Sequence, residues 1–358
     1  MADYIEDLER QYQNEVVALF LKKLKYKYLG NLQYAKGAKV NCLGKANSPI
    51  IESEVEAYLT DAGYTAMQID GAMFQLKRTV RLADKRMVTL MDVSNDVYDL
   101  LVSGCSVKPS TEETERDVMY FNFAEPEKNR FAIAEEVSYI DPLTTCHSRP
   151  DIVVYVNGIA LCVIELKRSI VSLEEGIRQH LSNESDLIPS FFTTTQFTVS
   201  ARHAEHKELE QGERVEDELY GFKYATIGTP LPFWCPWKPD TNRTGVVLSD
   251  MESFADFFTK EHFLFLFRYG VLSDGGIKKV MRPHQYHALR AAEPRLQTKA
   301  SGVIWHSQGS GKSLTMVWLA GYIKANFEDP RVLVITDRTE LDLQLSSDFS
   351  DAGNNIHH

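Results

Sequence analysis

"RPDIVVYVNGIALCVIELKRS", residues 149–169, is an almost unbroken apolar run with its charges at the edges: Asp151 near the front, Glu165 and Lys167 near the back. Its valines and isoleucines favour extended backbone. The Asn157-Gly158 pair in the middle is a hairpin signal, because both residues tolerate the positive φ that a tight turn between twisted strands requires. Two central strands are therefore expected to fold back on one another. Alternate side chains of a strand share a face, so Glu165 and Lys167 project together. Asp151 raises a question of parity. A regular two-residue turn pairs 156 with 159 and hence 151 with 164, which sends Asp151 and Glu165 to opposite faces. A three-residue loop or a β-bulge would restore the match, and one of the two is expected.

Two carboxylates and a lysine on one face are the residue types that phosphodiester hydrolysis uses: oxygen ligands for one or two Mg²⁺ ions, and a positive group near the attacked phosphate or water. The pattern P-D, thirteen intervening residues, then E-x-K resembles the core of the PD-(D/E)xK nucleases. That resemblance implies a restriction-endonuclease-like mixed sheet flanked by helices, with Asp151 and Glu165 as metal ligands and Lys167 as the third catalytic residue. After the hairpin, "LEEGIRQHLSNE" puts Leu173, Ile177 and Leu181 on one helical face and Gly176, Gln179 and Asn183 on another. In the resembling nucleases a glutamine here, followed four residues later by tyrosine, supports the site or contacts DNA. Gln179 fits as a catalytic or DNA-binding residue, and Asn183 stands where the tyrosine is expected. The resemblance also offers Glu54, on a helix with Ser48 as N-cap and Gly63 as stop, as a third acid near the metal. Glu135 and Glu136 compete for that role, and His147 reads as a loop histidine.

Toward the C-terminus the rhythm changes to helix, strand, loop, helix, strand, that of a parallel α/β domain. "SGVIWHSQGSGKSLTMVWLAGYIKAN" sets an apolar strand at 302–305, a glycine-bearing loop and a helix from Ser313, the context a nucleotide loop requires. Backbone N–H groups around Gly309, Ser310 and Gly311 would cradle phosphates, Lys312 would reach the β- and γ-phosphates of ATP, and the Ser313 hydroxyl would ligate Mg²⁺. His306 replaces the usual first glycine. Upstream, "RPHQYHALRAA" carries Gln285, whose amide could read both donor and acceptor of adenine. "RVLVITDRTELDLQL" supplies a second strand at 331–336.

Together R-P-H-Q-Y, I-W-H-S-Q-G-S-G-K-S and T-D-R-T-E-L-D resemble the superfamily 2 helicase motors of type I restriction enzyme R subunits. Those subunits also begin with a PD-(D/E)xK nuclease, so two separate segments point to one family. The resemblance implies a Mg²⁺-dependent endonuclease acting on unmethylated duplex DNA, coupled to ATP-driven translocation by a RecA-like domain. It also implies Arg338 facing the DNA backbone. Modification and specificity subunits would be the partners, with S-adenosylmethionine serving only the methyltransferase partners. No D-E-x-x motif follows Ser313, so this chain by itself is expected neither to hydrolyse ATP nor to translocate. The expected organisation is a nuclease domain over 1–250, a helical connector over 251–280 and an incomplete first motor domain over 281–358. Alternatives are a single-chain restriction–modification protein, a recombination-type helicase–nuclease, or an inactive DNA-binding or docking fragment.

Bulk properties bound this reading. With 358 residues, 44% of them hydrophobic, the chain has material for more than one core. Its net charge of −11 excludes DNA binding by bulk electrostatics and leaves that to local patches or partners. Lysines 22, 23, 25 and 27 read as a solvated face. Five scattered cysteines with no C-x-x-C pair argue against a disulfide framework or a zinc site. The polar start "MADYIEDLERQYQ" and the lack of an eighteen-residue apolar run point to a cytoplasmic protein without membrane contact.

Overall fold

The computed structural model describes residues 2–41, 44–81, 89–208, 219–238, 246–274 and 276–335, with side chains from residue 9 onward. Among these, a mixed seven-stranded sheet lies side by side in chain order. Its strands are β1 (Lys27–Asn31), β2 (Phe131–Glu135), β3 (Ile152–Val156), β4 (Ile159–Lys167), β5 (Phe197–Arg202), β6 (Phe222–Ala225) and β7 (Cys235–Pro236). The β1–β2 and β4–β5 pairs are parallel and the other neighbours antiparallel. Parallel neighbours need a crossover. Helices α2 (Glu52–Asp61), α3 (Ala66–Thr79) and α4 (Leu90–Ser103) lie between β1 and β2 in the chain, and α5 (Leu173–Ser182) lies between β4 and β5.

Both faces of the sheet are covered, which is why β3 and β4 read as continuous apolar runs rather than alternating ones. On one face Ile133, Ile152, Val154 and Ile164 pack in one core with Val16 and Phe20 of α1 (Ala2–Lys22). On the other, Ala134, Val153, Tyr155 and Val163 pack with Ile188, Phe191 and Phe192. The four cysteines within the described residues (105, 146, 162 and 235) are free thiols. No helix among the described residues is long and apolar enough to cross a membrane.

Two expectations need correction. The helix expected to be capped by Ser48 starts at Glu52, because Pro49 and Ile51 are used elsewhere: the Pro49 carbonyl accepts from Ala160 N–H, and Ile51 N–H donates to the Gly158 carbonyl. The stop at Gly63, with φ +87°, is as expected. Residues 251–280, expected as a helical connector, carry two helices. Helices α6 (Asp250–Phe257) and α7 (Lys260–Tyr269) bury Phe254, Phe257 and Phe263, whose rings meet Phe20, Phe197 and Phe222 of the sheet core. Segments 302–305 and 331–335 belong to no strand among the described residues; Val303 is 93% and Trp305 92% exposed. A parallel strand exists only when paired and covered by neighbours, and among the described residues none is paired with either segment. Arg338 lies outside the described residues.

Candidate active site

The hairpin resolves the parity question in a specific way. Asn157 (φ +51°) and Gly158 (φ +79°) form the two-residue turn, and Val156 pairs with Ile159. One residue later the register slips: Tyr155 pairs with Ala160 but Val154 with Cys162, leaving Leu161 as the extra residue of a β-bulge. Ile152 then stands opposite Ile164, so Asp151 comes level with Glu165. Val153 and Val163 share the second core, and by alternation Asp151, Glu165 and Lys167 emerge beyond them on that same face.

At the strand ends these side chains touch. Leu166 N–H donates to Asp151 Oδ2 at 2.7 Å, and Lys167 Nζ lies 3.8 Å from Glu165 Oε2 and donates to Gln179 Oε1 at 2.7 Å. Asn183 Nδ2 lies 3.5 Å from Glu165 Oε1. Asp151, Lys167 and Gln179 line a cleft of about 750 Å³ together with Glu9, Arg10 and Gln13 of α1, Glu136, and His147 to Arg149.

Helix α5 can reach Lys167 because Gly176 lets it lie close to β5. A Cβ there would come within 2.3 Å of Ser200 Oγ, which is held by its bond to the Leu173 carbonyl, 2.9 Å. Gly176→Ala is expected to cost about 2 kcal/mol by overpacking and to withdraw Gln179 from Lys167. A melting curve at wild-type midpoint would count against this.

Burial pushes Asp151 up to about 6, against the pull of Lys167 and the Leu166 N–H. Burial, aided by the Asp151 charge, raises Glu165 well above the usual carboxylate range, and Lys167 opposes the shift. Glu165 is fully buried, and its Oε2 has no hydrogen-bond partner. Such an orphaned oxygen beside a second carboxylate is the environment a divalent cation relieves. Among the described residues no cluster of three or more His, Cys, Asp or Glu is placed to hold a metal. Two carboxylates suit Mg²⁺, which keeps several of its own waters.

Glu54 is not at this site. It pairs with Lys27 (2.6 Å) and Arg130 (3.2 Å) and packs against Gly158, at the opposite end of the hairpin from Asp151. Glu135 is buried, and Tyr28 donates to its carboxylate. Glu136 lines the cleft in a left-handed backbone conformation (φ +51°) and pairs with Arg149 at 2.7 Å and Arg10 at 3.7 Å. Glu9, Arg10 and Gln13 had no sequence signal tying them to the site, because the polar face of α1 reads as ordinary solvated helix.

In the second half, α8 (Pro283–Gln297) and α9 (Lys312–Asn326) flank the glycine loop. Gly309 (φ +80°) and Gly311 (φ +81°) adopt the left-handed conformation that phosphate loops use glycine for. Lys312 opens α9 and its Nζ donates to the Ser307 carbonyl at 3.1 Å, with Ser313 next in the helix. Gln285 differs from expectation. It is buried, its Oε1 accepts from Arg282 N–H (2.8 Å) and its Nε2 donates to the Gly311 carbonyl (3.0 Å), so the amide holds the loop rather than facing a base. His284 supports it with a 2.8 Å contact to the Ser310 carbonyl, and its ring meets that of His306 edge to face, 4.9 Å between centroids.

Residues 7–211 match the family model described as "Type I restriction enzyme R protein N terminus". The chain belongs to that family. Residues 284–358 match a second model, "SWI2/SNF2 ATPase". Among relatives of the type I R family, the HindI endonuclease subunit of Haemophilus influenzae is 31% identical over 221 residues, covering 56% of this chain and 20% of the relative. The SsaAORF53P endonuclease subunit of Staphylococcus saprophyticus is 25% identical over 227 residues, 62% of this chain and 22% of the relative. The SauMSSORF170P endonuclease subunit of Staphylococcus aureus is 25% identical over 279 residues, 75% and 28% respectively. The aligned part of this type I R-family chain thus spans between a fifth and under a third of these relatives.

Proposed function

We propose that the cleft at the ends of β3 and β4 is a PD-(D/E)xK nuclease site that hydrolyses phosphodiesters of duplex DNA with Mg²⁺. The observation that carries this reading is the Leu161 bulge, which levels Asp151 with Glu165, whose Oε2 has no hydrogen-bond partner and lies 3.8 Å from Lys167 Nζ. Asp151 and Glu165 would hold the ion; when bound, it would polarise a phosphoryl oxygen and acidify the attacking water. Lys167, fixed by Gln179, places a positive charge where negative charge develops on the phosphate. Arg10 and Arg149, which line the cleft and pair with Glu136, would turn to backbone phosphates of bound DNA.

Within the same reading the Gly309–Ser313 loop binds the phosphates of ATP, with Lys312 and Ser313 in the roles expected from the motif and Gln285 bracing the loop. As in a restriction subunit, motion along DNA would depend on ATP, and recognition and methylation would fall to specificity and modification subunits. The acidic net charge suits a chain that receives its DNA from partners.

The test is cleavage of duplex DNA in Mg²⁺ by the chain together with modification and specificity subunits. Glu165→Gln and Lys167→Ala should each lower it by about 10²–10³-fold with DNA affinity within about threefold. Cleavage at the wild-type rate in either variant would refute the assignment.

A further inference from the structure

Asn183 is fully buried and has polar partners on two sides. Ser148 Oγ donates to its Oδ1 at 2.7 Å, and its Nδ2 faces Glu165 Oε1 at 3.5 Å. Ser148 comes from a two-residue strand, His147–Ser148, paired with Tyr139–Ile140, so its hydroxyl is held independently of α5. Asn183 opens a single π-helical turn, Asn183–Leu187, at the end of α5. Such widened turns recur at functional sites because they re-aim one side chain without ending the helix.

We propose that Ser148 and Asn183 are positioning residues for the Glu165 carboxylate: Ser148 anchors the far end of the amide, and Asn183 steers Glu165 so that its other oxygen is presented to a divalent cation. This rests on the metal-dependent reading above. A buried amide has two orientations, and a neighbour that can only accept fixes which end it meets, whereas a hydroxyl adapts to either. An ionised Glu165 carboxylate only accepts, so Nδ2 faces it and Oδ1 takes the Ser148 hydroxyl. In the flipped orientation two acceptors would face each other with no water to separate them. At 3.5 Å the contact lies at the outer limit of a hydrogen bond, so it steers the carboxylate without competing strongly for its charge. Gln179 of α5 and Asn183 of the π turn that continues it, four residues apart, thus serve the lysine and the acid of E-x-K respectively. This gives the position where a tyrosine was expected a different task, carried by an amide.

The experiment is Mg²⁺ titration of the chain by calorimetry, with the Mn²⁺ spin-resonance spectrum as a second readout and metal-free melting curves as control. Asn183→Leu should weaken Mg²⁺ binding about tenfold or more, the usual scale for removing an outer-sphere support. Ser148→Ala should weaken it about threefold, and Ser148→Thr, which keeps the hydroxyl, should bind within about twofold of wild type. The Mn²⁺ spectrum should change in the first two variants and not in the third. Unchanged affinity in Asn183→Leu, or Ser148→Thr binding as weakly as Ser148→Ala, would overturn the proposal. Should Asn183→Leu fail to fold, the Ser148 pair decides alone. Wild-type chain that binds no cation, with Glu165→Ala indistinguishable from it, would sink the metal reading itself and this inference with it.

Discussion

Deleting Leu161 should abolish Mg²⁺-dependent cleavage and lower the stability of the chain by about 4 kcal/mol, at the upper end of single core changes. The reason is that β4 is fixed along both edges. Toward β5 its residues run in unbroken register from Cys162 opposite Phe197 to Lys167 opposite Arg202. Toward β3 it carries one extra residue between Ala160 and Cys162. With Leu161 gone, 162–167 can keep their β5 register only by dragging the Asn157-Gly158 turn out of place. That turn is clamped: Asn157 Nδ2 donates to the Tyr120 carbonyl at 2.8 Å, and a Cβ at Gly158 would stand 2.7 Å from the Ile51 carbonyl, so there is no slack. Otherwise β3 slides by one residue and every side chain on it changes face. In either case Asp151 and Glu165 part. Leu161→Val, which keeps the residue count, should lose about 1 kcal/mol and keep cleavage within a few-fold. Comparing the two by thermal melting and cleavage separates register from packing, and a deletion variant that still cleaves would show that the bulge is not required.

A second large effect concerns Lys278, on the hairpin that leads from the sheet core toward α8. It is buried; its Nζ donates to the Ser94 carbonyl (3.0 Å) and hydroxyl (2.8 Å) of α4, 5.3 Å from the centre of the Tyr98 ring. Burial pushes its pKa down to about 7, and Asp99 only partly opposes this. The unfolded chain keeps the ammonium protonated up to its ordinary range near 10.5. Between pH 7 and 10.5 the unfolded state therefore binds one more proton than the native state, so stability from this group rises with pH by about 1.4 kcal/mol per unit. It is lost again as pH falls through 7. Lys278→Met should remove that slope. At pH 6.5 it should raise stability by about 2 kcal/mol, the relief of burying a charge less the bonds to Ser94. Denaturant melts at pH 6.5 and pH 9 check this, and parallel wild-type and variant slopes would contradict it.

Much of the site was legible from local pattern. Two strands, their turn and the spacing of Asp151, Glu165 and Lys167 follow from period-two alternation and from the φ preferences of Asn-Gly, and the requirement for an extra residue followed from parity alone. The glycines of the second loop were legible for the same reason, since Gly309 and Gly311 need positive φ whatever packs around them. Less legible were features decided by who sits next to whom. Glu54 looked as acidic and as well placed as Glu136, yet the hairpin turn carries it to the far end of the strands. Gln285 looked free to read a base until the loop folded onto its amide.

The sequence by itself determined a hairpin needing one extra residue, in its loop or as a bulge, to put two acids and a lysine on one face, and a glycine loop at the head of a helix, because each depends on backbone preferences acting over a few residues. Only the tertiary structure decided where the extra residue sits and that Glu165 is wholly buried with one oxygen unsatisfied. It also decided that the cleft wall comes from α1, whose Gln13 meets the Asp151 carbonyl 138 residues away in the chain. Burial and long-range contact are set by the packing of whole helices on the sheet, and no short stretch of chain contains that information.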